Sequence, residues 1–236
     1  MVILFLLLQQ ALADIPSELV VAADESLSEE SRQAAFDRVV TEGNQNVRGL
    51  IEACRDGDDT RVRWVAIRAL GHVGGPQARE TLLALLEDPE PAIRTAAVGA
   101  LGELGDRATS RRIAEMLSDP AVLVRAAAAS TLGILRDPVV LPALDDALSS
   151  TDNYYRGSSL WVRPHFVAAM GAIGDLAALP ALLRALDDAD PEVAATSIRS
   201  LEAISGLSFA DGRTPTEESE AWRRWATTQI QRRGIR

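Results

Sequence analysis

Apolar residues recur along most of this chain in groups that repeat at a fixed distance. The segment 62–71 returns 31 residues later at 93–102, and it returns again after the same interval at 124–133. Related segments begin at Ser31, Val162 and Val193. A regular period of roughly 20 to 50 residues is typical of stacked supersecondary units. The pattern therefore predicts about six structural repeats.

Within each repeat, the apolar positions follow the spacing of helices. One position is held in successive copies by Phe36, Ile67, Val98, Ala129, Val167 and Ile198. Another apolar residue follows three residues later in each copy, which places both on one helix face. A second apolar series, from Ile51 to Leu182, marks a second helix in the repeat. Residues 14–206 are therefore predicted to form an all-α solenoid of antiparallel helix pairs.

Turn residues separate these helices. Gly105 and Gly174 suit the left-handed end of a first helix, and the aspartate after each suits the cap of a second helix. The pairs Asp88-Pro89 and Asp119-Pro120 have the form of a capping carboxylate followed by a proline at the first helical position. We expect each pair to start a new helix.

The residues after the last repeat, 207–236, are predicted to form a capping segment. Thr214 and Glu217 have the spacing of a capping box, and Pro215 lies at the first helical position. Trp222 and Trp225 are three residues apart and share one face of the helix that follows. We expect this face to cover the exposed end of the final pair.

Residues 1–13 resemble a signal peptide. An apolar run from Val2 to Leu8 precedes Ala11-Leu12-Ala13, which has the small residues of a cleavage site. No Lys or Arg precedes the run, so an apolar first helix packed on the solenoid end is the alternative. We expect a periplasmic or secreted protein, otherwise a cytoplasmic one. The run is too short to span a bilayer, so we expect no stable membrane insertion beyond this segment.

Composition narrows the choice of fold and partner. The chain is 47% hydrophobic but only 4% aromatic, which favours closely packed helices over sheets. Its net charge of -10 would repel nucleic acid, so we expect none to bind. Cys54 is the one cysteine, and it occupies a repeat position that is otherwise apolar. We expect an inert core thiol there.

The repeat is interrupted before the copy at Val162, where seven extra residues fall within 150–159. This insertion contains both tyrosines of the chain. Tyrosine, tryptophan and arginine are the residue types that most often anchor interfaces. The candidate binding residues are therefore Tyr154, Tyr155, Arg156, Trp161 and His165. In the alternative interpretation, the tyrosines cover the seam that the insertion opens and the histidine is partly packed.

One column of the repeat carries a positive charge. It is formed by Arg32, Arg63, Arg94, Arg125 and Arg163. The row could face an anionic partner, or it could be a structural ladder. For the ladder, we expect the arginines to pair with acidic residues of the turns, namely Asp59, Glu90, Asp119 and Asp190.

The sequence offers little for catalysis. Its only histidines are His72 and His165, so no His-rich metal site can form. We find no phosphate loop, nucleophile elbow or Cys-His pair. We therefore predict no catalytic residue, no metal and no cofactor.

The repeat, over roughly Ser28 to Gly206, resembles the HEAT repeat in the short bacterial form first associated with phycobilisome lyases. The closing segments 204–209 and 221–225 resemble those of exported bacterial HEAT proteins. Deoxyhypusine hydroxylase is similar in fold, but its iron-binding His-Glu pairs are absent here, since His72 precedes Val73 and His165 precedes Phe166.

The resemblance implies a solenoid that binds another macromolecule. We expect a non-catalytic protein-protein interaction scaffold or adaptor in the bacterial cell envelope, with a protein partner. The alternative is an enzyme or enzyme-accessory protein related to bilin lyases or HEAT-repeat hydroxylases.

Overall fold

The computed structural model describes residues 14–56, 59–212 and 214–235. The predicted signal peptide, 1–13, lies outside these residues. The described chain is helical apart from one two-stranded hairpin, which confirms an all-α solenoid. None of the described helices has the length and apolarity to cross a membrane. The chain divides into two compact units, Met1–Gly105 and Asp106–Arg236.

The first unit contains two helix pairs and the first helix of a third. Its helices are α1 (Asp14–Ala23), α2 (Glu29–Gly43), α3 (Val47–Asp56), α4 (Thr60–Val73), α5 (Pro76–Ala84) and α6 (Pro91–Leu104). α4 packs side by side with α6, as expected for successive first helices. α1 precedes the repeats and packs on α2 and α4, where Leu19 is completely buried.

The second unit continues with the remaining helices and the hairpin. They are α7 (Ser110–Glu115), α8 (Val122–Leu135), α9 (Leu141–Ser149), β1 (Tyr154–Tyr155), β2 (Ser158–Ser159), α10 (Arg163–Ile173), α11 (Leu179–Ala185), α12 (Pro191–Ser205) and α13 (Pro215–Arg233). The first helices α8, α10 and α12 pack in that order. Several of the second helices begin or end in a short 3-10 turn.

The C-terminal helix α13 packs on α11 and α12. It thus occupies the place that a second helix has in a pair. Its N-terminus has the predicted capping box between Thr214 and Glu217. Trp222 is completely buried, and its ring is in edge contact with two others. The ring centroids are 4.6 Å apart for Phe209 and 5.7 Å apart for Trp225. Trp222 therefore packs inside the second unit, with the Phe209 and Trp225 rings against it.

The predicted turn residues are partly right. Asp106 and Asp175 accept backbone N–H bonds at the start of second helices, and Gly105 and Gly174 have positive φ angles. The expectation that Asp88 caps a helix is wrong, because α6 begins at Pro91 and Asp88 accepts the N–H of Glu90 instead. Asp119 likewise lies before the first turn of α8 and accepts the N–H of Ala121. These aspartates order the turn that precedes the helix.

Glycines allow neighbouring first helices to approach closely. A Cβ atom on Gly171 of α10 would lie 2.8 Å from the Cα atom of Ser200 on α12. A Cβ atom on Gly71 of α4 would lie 2.9 Å from the Cα atom of Ala100 on α6. Because both obstacles are backbone atoms, the helices themselves would have to move apart. By contrast, a Cβ atom on Gly99 of α6 would meet nothing within 4 Å.

This difference predicts opposite effects for two glycine-to-alanine substitutions. Gly171→Ala should lower the free energy of unfolding by roughly 1–3 kcal/mol, because it forces α10 and α12 apart. Gly99→Ala should raise it by up to about 1 kcal/mol, because alanine favours the helix and fits in open space. Urea unfolding followed by circular dichroism measures both. Equal effects of the two changes would contradict the close approach at Gly171.

Candidate functional site

The insertion folds into a β-hairpin, which the sequence did not predict. Tyr154 pairs with Ser159 and Tyr155 pairs with Ser158. The two turn residues, Arg156 and Gly157, have φ angles of 50° and 81°. Positive φ at both positions is typical of the type I′ turn that matches the twist of two strands. The Arg-Gly pair between four polar or aromatic residues is the only sequence signal for this hairpin.

The hairpin holds its two tyrosines differently. The Tyr154 ring lies over the guanidinium of Arg163, with 4.4 Å between the guanidinium carbon and the ring centroid. The Tyr155 side chain is 63% exposed, and the Arg156 guanidinium lies 5.2 Å from its ring centroid. Tyr154 therefore packs on the fold, whereas Tyr155 and Arg156 are available at the hairpin tip.

His165 lines a different surface, a groove between α8 and α10, and Trp161 contacts His165 beside it. Their rings are in edge contact at 5.3 Å. The groove encloses about 430 Å³, and its lining residues are Ser130, Gly133, Ile134, Arg136, His165, Ala168, Ala169 and Ala172. Small side chains form most of this lining. Two large apolar side chains at its edge are exposed to solvent, Ile134 at 66% and Trp161 at 50%.

Two positions of this face are charged in some repeats and not in others. Arg61 and Glu192 hold the position of Leu123 and Trp161, and Arg68 and Arg199 hold that of Ser130 and Ala168, whereas the repeat of α6 has Ala92 and Gly99 there. In the second unit, Arg199 and Glu192 form an ion pair at 2.6 Å. These positions are thus small or apolar in the repeats of α6, α8 and α10 and charged in those of α4 and α12.

His165 adds a polar group to the groove. Its Nδ1 atom is buried and has no hydrogen-bond partner among the described residues. The buried Nδ1 has no partner whether or not it carries the proton, so Nε2 is the ring nitrogen that a molecule in the groove can contact.

The arginine column does not form an open row of charge. Arg63 donates to the main-chain oxygen of Cys54 at 2.9 Å and pairs with Asp88 at 2.5 Å. Arg163 donates to the main-chain oxygen of Leu148 at 3.2 Å and pairs with both oxygens of Asp188. Each guanidinium therefore joins the end of one helix pair to the turn of the next.

For Arg63 and Arg163, the acidic partners differ from those expected. The carboxylates that pair with Arg63 and Arg163 belong to Asp88 and Asp188, each two residues before the expected Glu90 and Asp190. Asp59 pairs with Arg61. Asp119 offers its main-chain oxygen to Arg125. The repeat period correctly placed the paired carboxylates in these turns. It did not show which acidic residue of each turn lies within reach of the guanidinium.

The other three arginines of the column lie in other surroundings. Arg94 donates to the main-chain oxygens of Asp88 and Pro89. Arg32 makes one 3.3 Å bond to the exposed Glu29. Arg125 is 6% exposed and donates to main-chain oxygens.

Cys54 is buried in the first unit. Burial raises the pKa of its thiol to about 12, despite the opposing charges of Arg63 and Arg55. A thiol with such a pKa forms little thiolate near neutral pH, which makes it a poor nucleophile. Among the residues that the structure describes, no group of three or more His, Cys, Asp and Glu side chains could hold a metal ion.

The described helices, together with the arginines that join one helix pair to the next, define a solenoid built from helix pairs. A family model described as HEAT repeats matches residues 47–121 and 96–162. A second, described as PBS lyase HEAT-like repeat, matches residues 165–188. Together these matches cover more than half of the chain, and the chain belongs to the HEAT-repeat family.

Solved structures agree with this family. The chain is 27% identical to a chain in the complex of CpcE and CpcF of phycocyanin lyase from Nostoc sp. PCC7120, with a TM-score of 0.57. The match covers 67% of this chain and 64% of that one, so this chain spans less than two thirds of the length of its relative.

More distant structures share the fold alone. Kap121p bound to Pho4p matches 95% of this chain with 28% of its own, at 15% identity and a TM-score of 0.57. An engineered protein matches 81% of this chain with 89% of its own, at 20% identity and a TM-score of 0.51. No curated protein sequence matches the chain.

The Arg163–Asp188 bridge predicts an acid-sensitive contribution to stability. Burial alone would raise the pKa of Asp188, but hydrogen bonds from Arg163 and from the Asp190 N–H outweigh it and hold the pKa below its usual value. A lowered carboxyl pKa stabilises the fold above the unfolded-state pKa of about 3.9, and this stability is lost as pH falls through the folded-state pKa.

We therefore expect Asp188→Asn to lower the free energy of unfolding at pH 7. The difference from wild type should shrink as the pH falls below about 4, where wild type also loses the charge. Urea unfolding across this pH range measures it. Asp187→Asn is the control, since that carboxylate is 71% exposed and its ion pair with Arg223 contributes little. A constant difference down to the lowest pH would contradict the bridge.

Proposed function

We propose that this HEAT-repeat chain is a non-catalytic scaffold that binds an apolar segment of another protein in the groove between α8 and α10. The observation that carries this proposal is the pair of exposed apolar side chains, Ile134 and Trp161, beside a floor of small residues. Exposed apolar surface at a recessed site is typical of an interaction surface.

The groove favours a partner helix with one apolar face. Ser130, Gly133, Ala168 and Ala172 form a floor on which large side chains of a partner can lie. Ile134 and Trp161 would lose water contact when the partner binds, which gives a favourable hydrophobic term. The Nε2 atom of His165 and the guanidinium of Arg136 can meet polar or acidic groups of the partner at the groove margin.

The hairpin supplies a second contact in this proposal. Tyr155 and Arg156 are exposed at its tip, and both residue types commonly anchor interfaces. The phycocyanin lyase match is a complex of two chains, CpcE and CpcF, which supports assembly with another protein as a property of such folds.

A variant at Ile134 tests the groove. We expect Ile134→Glu to weaken partner binding at least about tenfold, because it introduces a charge that the apolar interface would have to desolvate. The substituted side chain is exposed, so the fold should be unchanged. Wild type and variant are used for affinity capture from the source cells, followed by titration with the purified partner.

Val20→Glu is the matched control, because Val20 of α1 is 57% exposed and apolar but lies in the first unit. A Tyr155→Ala, Arg156→Ala double variant tests the hairpin separately. Loss with Ile134→Glu alone supports the groove. Equal affinity of Ile134→Glu and wild type would overturn it, and loss with the hairpin variant alone would move the site to the hairpin tip.

A location in the bacterial envelope is the second part of the proposal. It is supported by the apolar run and cleavage-site residues within 1–13. We expect the mature protein to begin at Asp14 and to appear in the periplasm or the medium. Mass spectrometry of the N-terminus of the protein from its source cells checks this, and an intact N-terminus in the cytoplasmic fraction would contradict it.

A role as an enzyme accessory is the second candidate. The 27% identity to a chain of the phycocyanin lyase complex favours it. In that role the chain would hold a bilin without a covalent bond to Cys54, whose thiol is buried and has a raised pKa. A shift in bilin absorbance on titration with the full chain would support this function over the scaffold, whereas an unchanged spectrum would exclude it.

A further inference from the structure

Two arginines of the column pair with an aspartate of the next turn, and at the insertion the corresponding aspartate is missing. Arg63 and Arg163 each pair with an aspartate 25 positions later, Asp88 and Asp188. The residue 25 positions after Arg125 is Ser150. Arg125 is therefore a member of the column whose acidic partner is replaced by a neutral side chain.

Ser150 occupies the structural place of those aspartates. Its backbone angles are φ -64° and ψ 134°, close to the φ -61° and ψ 139° of Asp88. Its side chain accepts the N–H of the residue two positions later, Asp152, as Asp88 accepts that of Glu90 and Asp188 that of Asp190. The turn is thus preserved, and only the carboxylate that would reach the arginine is absent.

The Arg125 side chain is left without a paired carboxylate. It is 6% exposed, and no carboxylate pairs with it among the described residues. It donates to the main-chain oxygens of Asp119, Pro120 and Asp152, the last at 3.4 Å, and its Nε atom has no partner. A buried guanidinium without an anionic partner is costly, which makes it a strong site for an anion.

A pocket of about 300 Å³ adjoins this guanidinium. Its lining includes Arg125, Ser150 and Asn153, with Asp146 and Asp152 as its acidic members. Asn153 is 1% exposed, and its Nδ2 group donates to the main-chain oxygen of Ala147 at 2.8 Å. That bond fixes the amide orientation and leaves Oδ1 buried without a donor. Two residues that line one pocket thus each have an unpaired buried atom, Nε of Arg125 and Oδ1 of Asn153.

We propose that this pocket binds a carboxylate that has an N–H group beside it, as in a free α-amino acid or the C-terminal residue of a peptide. The carboxylate takes the place that Asp88 and Asp188 occupy beside their arginines, and it accepts from Arg125. The neighbouring N–H donates to Oδ1 of Asn153. This arrangement satisfies both buried groups and neutralises the guanidinium.

The two acidic residues restrict the ligand. The carboxylates of Asp146 and Asp152 repel a ligand that is purely anionic, and they favour one whose outer part is neutral or positive. A dianionic phosphate therefore fits less well than an amino acid or a peptide end. Neither acidic side chain is an ion-pair partner of Arg125, so both remain to select the ligand.

The full chain with three probes tests the proposal by ligand-observed NMR and thermal shift. Glycine represents the free amino acid, N-acetylglycine represents the peptide end, and acetate is a carboxylate without the N–H. We expect glycine or N-acetylglycine to bind about two- to tenfold more tightly than acetate, because of the added hydrogen bond to Asn153. The tighter of the two identifies the source of the carboxylate. No binding of any probe, or equal binding of all three, would overturn the proposal.

Ser150→Asp supplies the missing carboxylate from the chain itself. We expect it to raise the melting temperature and to weaken probe binding at least about tenfold, because the introduced carboxylate would pair with Arg125 as Asp88 pairs with Arg63. Ser150→Asn is the matched control, since it has the same size without the charge, and it should leave probe binding unchanged. If both variants lost probe affinity equally, the size of the new side chain and not its charge would be the cause. That result would contradict the carboxylate site.

Discussion

A guanidinium at the start of the first helix holds successive helix pairs together in this protein. In both units it reaches back to a main-chain oxygen at the end of the preceding second helix, as Arg63 and Arg163 show. It also reaches forward to an aspartate of the next turn. The main-chain oxygens at a helix end have no partner within the helix, so the arginine both satisfies them and neutralises the aspartate.

At the insertion, the pairing of arginine with aspartate is lost, and the surroundings of Arg125 differ from those of Arg63 and Arg163. The insertion replaces the expected aspartate by Ser150, adds the hairpin of β1 and β2, and leaves Arg125 and Asn153 with unused polar atoms. In the repeats of Arg63 and Arg163, an aspartate at this place neutralises the arginine. Departures from a consistent pattern are where functional sites are expected, because the pattern alone would have given a more satisfied structure.

The two candidate surfaces of the second unit differ in chemistry. The groove between α8 and α10 is apolar, bordered by Ile134 and Trp161, and is suited to side chains of a protein partner. The pocket at Arg125 is polar and small, and is suited to a single carboxylate with its N–H neighbour. The match to the phycocyanin lyase complex is compatible with partner binding and keeps an accessory role in bilin chemistry as the competing function.

The sequence by itself determined the repeats, the helix pairs, the buried tryptophan of the last helix and the column of arginines. Those features follow from period and from local propensity, which a single chain displays directly. It could not identify Asp88 and Asp188 as the paired carboxylates, nor separate Tyr154 from Trp161. Only the tertiary structure decided these, because side-chain reach and the packing of α8 against α10 depend on residues far apart in the chain. The type I′ turn at Arg156-Gly157 was decided there too, since arginine seldom adopts a positive φ without surrounding structure to hold it.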